Sequence, residues 1–75
     1  MSASGDGPQI EVLVNGETRR VGTGATVEDV LTLLGAPRRG IAVALNNEVV
    51  HRAAWPATQV AEGDRVEVLT AASGG

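Results

Sequence analysis

The 75-residue sequence predicts an α+β domain, a mixed sheet of four to five strands with one helix packed across it, in the order β-β-α-β-β-β. Three observations carry that prediction. A single segment, residues 27–34, has apolar residues at helical spacing, with Val27, Val30, Leu31 and Leu34 at i, i+3, i+4 and i+7. Several short segments instead alternate with period two, the mark of strands with one buried face. Between the first two of these lies Asn15-Gly16, a pair suited to the positive φ angles of a two-residue hairpin turn.

Taken in order, Gln9 to Val14 alternates Ile10, Val12 and Val14 against Gln9, Glu11 and Leu13, and reads as the first strand. Residues 18–21 return as the second, and residues 22–25 form a loop. Thr26 is placed to cap the helix, and Glu28 and Asp29 in the first turn complement its dipole. Gly35 stops the helix and Pro37 bars its continuation. Leu33 falls off the apolar stripe and is expected to be half exposed or tucked under the following loop.

Ile41 to Leu45 is apolar on both faces, as expected of a central strand covered on at least one side. Asn46-Asn47-Glu48 is a turn and Val49-Val50 a short strand. Residues 51–61 read as irregular, with one helical turn near 53–55 ahead of Pro56. Glu62-Gly63-Asp64 is a further turn, and residues 65–69 form the last strand on alternating Val66 and Val68. The short Val49-Val50 strand cannot partner all of the last one, so insertion beside the first strand, parallel to it, is expected. The organisation is a disordered leader over residues 1–8, a domain over 9–70, and a flexible small-residue tail over 71–75.

Composition narrows the function classes. The 19 Val, Leu and Ile residues exceed the ~20% share below which a charged chain stays disordered. With Trp55 the only aromatic and a net charge of −3, neither a base-stacking platform nor a phosphate-backbone surface is expected, hence no nucleic acid partner. There is no Cys, so no disulfide or thiolate metal site forms, and no apolar run approaches the ~20 residues of a membrane span. A cytoplasmic protein with no membrane partner is the expectation. All six cations are Arg; no Lys exists to accept an isopeptide bond or to attack an activated acyl group.

The last three residues are Ser73, Gly74 and Gly75. Two glycines beside a carboxylate can thread a narrow channel and adopt backbone angles closed to other residues. A frayed end is the plain alternative. No Ser/His/Asp arrangement, carboxylate pair or phosphate loop accompanies them, so the chain is not expected to be an enzyme or to have catalytic residues, a metal or a bound cofactor of its own.

Hairpin, helix, strand and a last strand feeding a free tail match the ubiquitin-like β-grasp arrangement. Within it, Asn15-Gly16, Thr26-Val27, Leu33-Leu34 and Val43-Ala44-Leu45-Asn46 form an ordered series. Val49-Val50, Trp55, Gly63-Asp64-Arg65-Val66-Glu67 and Gly74-Gly75 complete it. Together these residues resemble the sulfur carrier proteins of thiazole (thiamin) biosynthesis, the ThiS type, over residues 10–75. The resemblance implies a protein cosubstrate acted on by partner enzymes. An E1-like adenylating enzyme uses ATP to adenylate the carboxylate of Gly75, with Gly74 and Ser73 threading into that partner. A cysteine desulfurase or other sulfur donor then supplies sulfur for a thiocarboxylate, and thiazole synthase consumes it. The leader over residues 1–8 and the undistinctive Ala71-Ala72-Ser73 depart from the family pattern without touching the reactive end.

The remaining candidates are weighed residue by residue. His51 reads as a solvated loop residue, and Trp55 as an anchor for packing rather than a ligand platform. Arg38-Arg39 either complements the helix C-terminus or solvates the loop. Leu69 with Glu62, Asp64 and Glu67, an acidic group expected near the root of the tail, forms a candidate partner interface; a solvated turn is the alternative. Alternative functions are carriage of sulfur for molybdopterin or cysteine synthesis, a ubiquitin-like protein modifier, and a β-grasp binding module with an inert tail. Small molybdopterin synthase subunits tend to carry aromatics and a longer proline-bearing tail before Gly-Gly, so the absence of Phe and the Ala-Ala-Ser approach here make the resemblance to the thiazole type the better one.

Overall fold

The period-two segments at the start of the chain pair as an antiparallel hairpin of β1 (Gln9–Val14) and β2 (Glu17–Gly22), in register from Gln9–Gly22 to Val14–Glu17. The computed structural model describes residues 7–70; the expected tail and residues 1–6 of the expected leader lie outside them. Pro8, assigned to that leader, is tied to the domain, its carbonyl accepting from the Thr23 backbone N–H at 3.1 Å and the Thr23 hydroxyl at 3.2 Å. The β1–β2 turn has φ values of 52° at Asn15 and 85° at Gly16, the paired positive angles of the expected type I′ turn.

The helix α1 (Val27–Leu34) is bounded as its chemistry dictates. The Thr26 hydroxyl accepts from the Asp29 N–H, while the Asp29 carboxylate accepts from the Thr26 N–H at 3.0 Å, a reciprocal capping box. At the other end Gly35 adopts φ 69°, and the N–H groups of Gly35 and Ala36 return to the carbonyls of Thr32 and Leu31. Val27, Val30 and Leu31 are wholly buried, and Leu34 packs at the margin of the core. Leu33, off the stripe, is 51% exposed.

Three further strands complete one sheet: β3 (Ile41–Leu45), β4 (Glu48–Val50) and β5 (Arg65–Thr70), in the order β2-β1-β5-β3-β4. The last strand lies parallel to β1 and antiparallel to β3, as its missing partner required. The centre of the sheet is therefore β5. The strand expected there, β3, is interior but second from the edge. Its apolar outer face is made of small residues, Ala42 and Ala44, left at least partly open to solvent. Val43 alone in β3 is fully buried. This mixed sheet with one helix across it is the β-grasp arrangement.

The segment read as irregular holds a 3₁₀ helix, Arg52–Ala57, one residue of which is Pro56. It seats Trp55, 2% exposed, whose indole Nε1–H donates to the Val50 carbonyl at 2.9 Å. The chain then runs antiparallel to the start of α1, with the Val27 N–H donating to the Thr58 carbonyl and the Val60 N–H to the Ala25 carbonyl. That crossing buries Val60 in the core, a place its isolated position in the sequence does not reveal. Among the described residues no helix is long and apolar enough to cross a membrane.

Candidate functional site at the end of β5

Two asparagines hold β5 in place, and both come from hairpin turns. Asn15 and Asn46 each sit at φ 52°, a conformation that Asn tolerates better than most side chains. From the β1 side, the Asn15 N–H donates to the Val66 carbonyl at 2.9 Å. Its carboxamide accepts from the Val68 N–H at 2.8 Å and donates to the Val68 carbonyl at 3.3 Å. From the β3 side, the Asn46 N–H donates to the Arg65 carbonyl at 2.8 Å, and the Asn46 carboxamide accepts from the Arg65 N–H at 2.9 Å. Backbone pairing between β1 and β5 ends at Val14–Val66. The Asn15 side chain thus stands in for a strand partner where β1 has run out.

This anchoring carries the strand to Thr70, which pairs with Ile41 at the start of β3. Thr70 is the last described residue before Ser73, Gly74 and Gly75, which lie outside the described residues. Leu69, one residue back, is 61% exposed on the sheet face away from α1 and lies in register with Ala42. Glu67 shares that face, in register with Ala44, and Val49 (71% exposed) lies across Ala44 from it.

The acidic residues do not gather where the sequence reading put them. Glu62 and Asp64 precede β5, so they stand at its opposite end from Thr70, ~17 Å away at ~3.3 Å per residue. Both carboxylates are engaged within the fold. Glu62 Oε1 accepts from the Glu11 N–H at 2.9 Å. Asp64 accepts from the Ala61 N–H at 2.8 Å and from the Asn46 carboxamide at 3.1 Å. Of the expected acidic group only Glu67 lies along the strand that leads to the tail.

Arginines occupy that corner instead. Residues Glu28, Arg38, Arg39, Arg52 and Trp55 line an open cleft of about 250 Å³. Arg38 folds back over the helix. Its Nε donates to Glu28 at 3.0 Å, Nη2 to the Thr32 hydroxyl at 2.7 Å and Nη1 to the Ala36 carbonyl at 3.0 Å. Arg52 Nη1 donates to the Arg38 carbonyl at 3.2 Å. Arg38-Arg39 was legible as a pair, but Arg52 joins it only through the fold. The 3₁₀ helix needed to bring it there was half seen.

A family model described as the ThiS family matches residues 12–75, from β1 through the Gly-Gly end. The chain belongs to the ThiS family. As a ThiS-family member it is 29% identical over 66 residues to the sulfur carrier protein ThiS of Escherichia coli K12, covering 88% of this chain and 100% of that protein. It is 33% identical over 66 residues to a protein named thiazole synthase from Paramagnetospirillum magneticum, where the chain spans only 20% of the relative's length. Among solved structures, the crystal structure of the thiamine biosynthesis protein ThiS from Geobacter metallireducens superposes with a TM-score of 0.75 at 35% identity. That comparison covers 88% of this chain and 100% of the other. A solution structure of a thiamine biosynthesis protein from Geobacter metallireducens gives a TM-score of 0.71 at 36% identity, covering 88% of each chain.

Proposed function

We propose that this chain is a cytoplasmic sulfur carrier of thiamin biosynthesis, whose reactive group is the carboxylate of Gly75. The observation that carries the reading is the family match, which extends to Gly75; a relative named as a sulfur carrier protein is separately covered over its whole length. A C-terminal carboxylate, with a pKa of ~3.3–3.7, is an anion and a poor electrophile at neutral pH. An E1-like adenylating enzyme removes that obstacle: a carboxylate oxygen attacks the α-phosphorus of ATP, pyrophosphate leaves, and the acyl-adenylate carries AMP as a good leaving group. The terminal sulfur of a persulfide supplied through a cysteine desulfurase or comparable donor displaces AMP to give an acyl disulfide. A thiol reductant then cleaves the S–S bond, supplying two electrons, to leave the thiocarboxylate. Thiazole synthase consumes that sulfur; the resemblance to a protein bearing that name supports the pairing.

The chain's own part is positional. The sheet holds Thr70 at a corner, and five further residues reach at most ~18 Å at 3.3–3.6 Å each. No bulky side chain occupies the last three positions. With neither Cys nor Lys in the sequence, the activated carbonyl meets no thiol or ε-amine of its own chain. Mass spectrometry of the protein from cells with an active pathway tests the reading. Replacement of oxygen by sulfur at Gly75 adds about 16 Da and renders the terminus alkylatable, which distinguishes it from oxidation of Met1. A C-terminal peptide that never carries the alkylatable sulfur overturns it.

A further inference from the structure

The corner where β5 ends is positively charged in a chain whose formal net charge is −3. Thr70 pairs with Ile41. Directly opposed residues of antiparallel strands lie ~4.5–5.5 Å apart between Cα atoms, and Arg39 is two residues from Ile41. The Arg39 Cα is thus within ~13 Å of Thr70. Arg39 lines the same cleft as Arg38 and Arg52. Arg38 is matched by Glu28, whereas Arg39 and Arg52 have no carboxylate partner among the described residues. Two guanidinium groups without a carboxylate partner among the described residues thus line the cleft that also holds Trp55. An enzyme that takes Gly75 into its active site has to bring the rim of that site to within ~18 Å of Thr70, a radius that includes Arg39 in the wall of the cleft.

We infer that the Arg38–Arg39–Arg52 cleft is a docking site for an acidic surface at the rim of the adenylating enzyme that receives the tail. The inference rests on the proposed function and specifies the partner's chemistry: carboxylates placed to take the guanidinium groups of Arg39 and Arg52. Guanidinium suits the role because its fork of N–H donors meets carboxylate in a bidentate geometry. Such contacts at an interface rim act mainly on the rate of encounter and on orientation, and they weaken with salt. Glu62 and Asp64, near the start of β5, are unsuited to steer the tail, since they lie at the other end of the strand and are bonded within the fold.

The test compares the double variant Arg39→Glu/Arg52→Glu with Arg19→Glu/Arg20→Glu, which makes the same change of formal charge on β2, the far edge of the sheet. Thermal melts verify folding, and Arg39→Gln/Arg52→Gln serves if the reversed pair melts early. The readout is pyrophosphate exchange by the purified adenylating enzyme as a function of carrier concentration, at low and high salt. The expected result is a rise of about tenfold in KM for the cleft variant, with kcat little changed and the salt dependence lost. The β2 variant stays within about twofold of the parent. Equal KM values and salt slopes for all three proteins overturn the inference. If the parent supports no exchange at all, the proposed sulfur-carrier function fails, and an NMR titration with a hexaglutamate peptide decides this inference alone. Chemical shifts confined to residues 38–41, Arg52 and the Trp55 indole, and lost in the Gln variant, sustain it; shifts absent or scattered over the surface overturn it.

Discussion

The Asn15 carboxamide brackets the backbone of Val68, 53 residues away, accepting its N–H at 2.8 Å and donating to its carbonyl at 3.3 Å. One residue therefore closes the first hairpin and guides the strand that leads to the tail. Replacing Asn15 by Gly keeps the positive φ but removes both bonds, so it should cost about 1–2 kcal/mol. Asn15→Ala adds the strain of a Cβ in the left-handed region, roughly 1 kcal/mol more. Denaturant unfolding measures both values, and hydrogen exchange should show the Val68 amide losing protection selectively. Equal stability of parent and Gly variant would mean that the bracket contributes nothing in solution.

Gly16 has φ 85° with open space around the position a Cβ would occupy. The obstacle to a side chain is thus backbone conformation alone. Gly16→Val should destabilise by at least ~1 kcal/mol, since a β-branched residue is strongly disfavoured there. An unchanged denaturation midpoint would show that the turn relaxes to another type.

Leu31 is fully buried at the middle of α1, packed with Val30 and Val27 in the core under the sheet. Leu31→Ala should cost ~2–5 kcal/mol by the lost burial and the cavity left behind. For so small a domain that is a large fraction of its whole stability. Chemical denaturation that shows a loss under about 0.5 kcal/mol would contradict the helix-on-sheet packing.

Trp55 is the one aromatic residue and closes the core beside the 3₁₀ helix. Trp55→Phe retains much of the apolar contact but strands the Val50 carbonyl that the indole N–H now satisfies. A loss of about 1–3 kcal/mol in denaturant unfolding is expected. A variant as stable as the parent would mean that water replaces the indole at no cost.

Function and fold should separate at the tail. Deleting Gly75, or replacing Gly74 by Val, should leave the melting temperature within a few degrees of the parent, because among the described residues the core lies between Ile10 and Val68. The same changes should abolish pyrophosphate exchange by the adenylating enzyme. Parent-like exchange from the Gly75 deletion would exclude that carboxylate as the group activated.

How much of this was legible beforehand follows from the range over which each signal acts. The hairpin, α1 with its Thr26 cap and Gly35 stop, and the alternating strands depend on contacts a few residues apart. Local periodicity and turn chemistry therefore specify them. The parallel place of β5 beside β1 was also deducible, since the two-residue Val49-Val50 run could not satisfy its backbone. The Gly-Gly end and the ordered family series are likewise written in the linear chain.

Other features were settled only when distant segments met. Val60 is buried because residues 58–60 cross over the start of α1, and β3 yields the centre of the sheet to β5 because β5 pairs on both of its sides. Asn15 and Asn46 look like turn residues in the sequence; their second role as clamps on β5 exists only once that strand is inserted between β1 and β3. Charge shows the same division. Glu62, Asp64 and Glu67 are neighbours along the chain, yet a strand extends ~3.3 Å per residue and carries the first two away from the tail. Arg39 and Arg52 are 13 positions apart, yet the return of β3 through β4 sets them on one cleft. Sequence proximity fixed which charges exist, and strand direction decided which of them stand beside the end of β5.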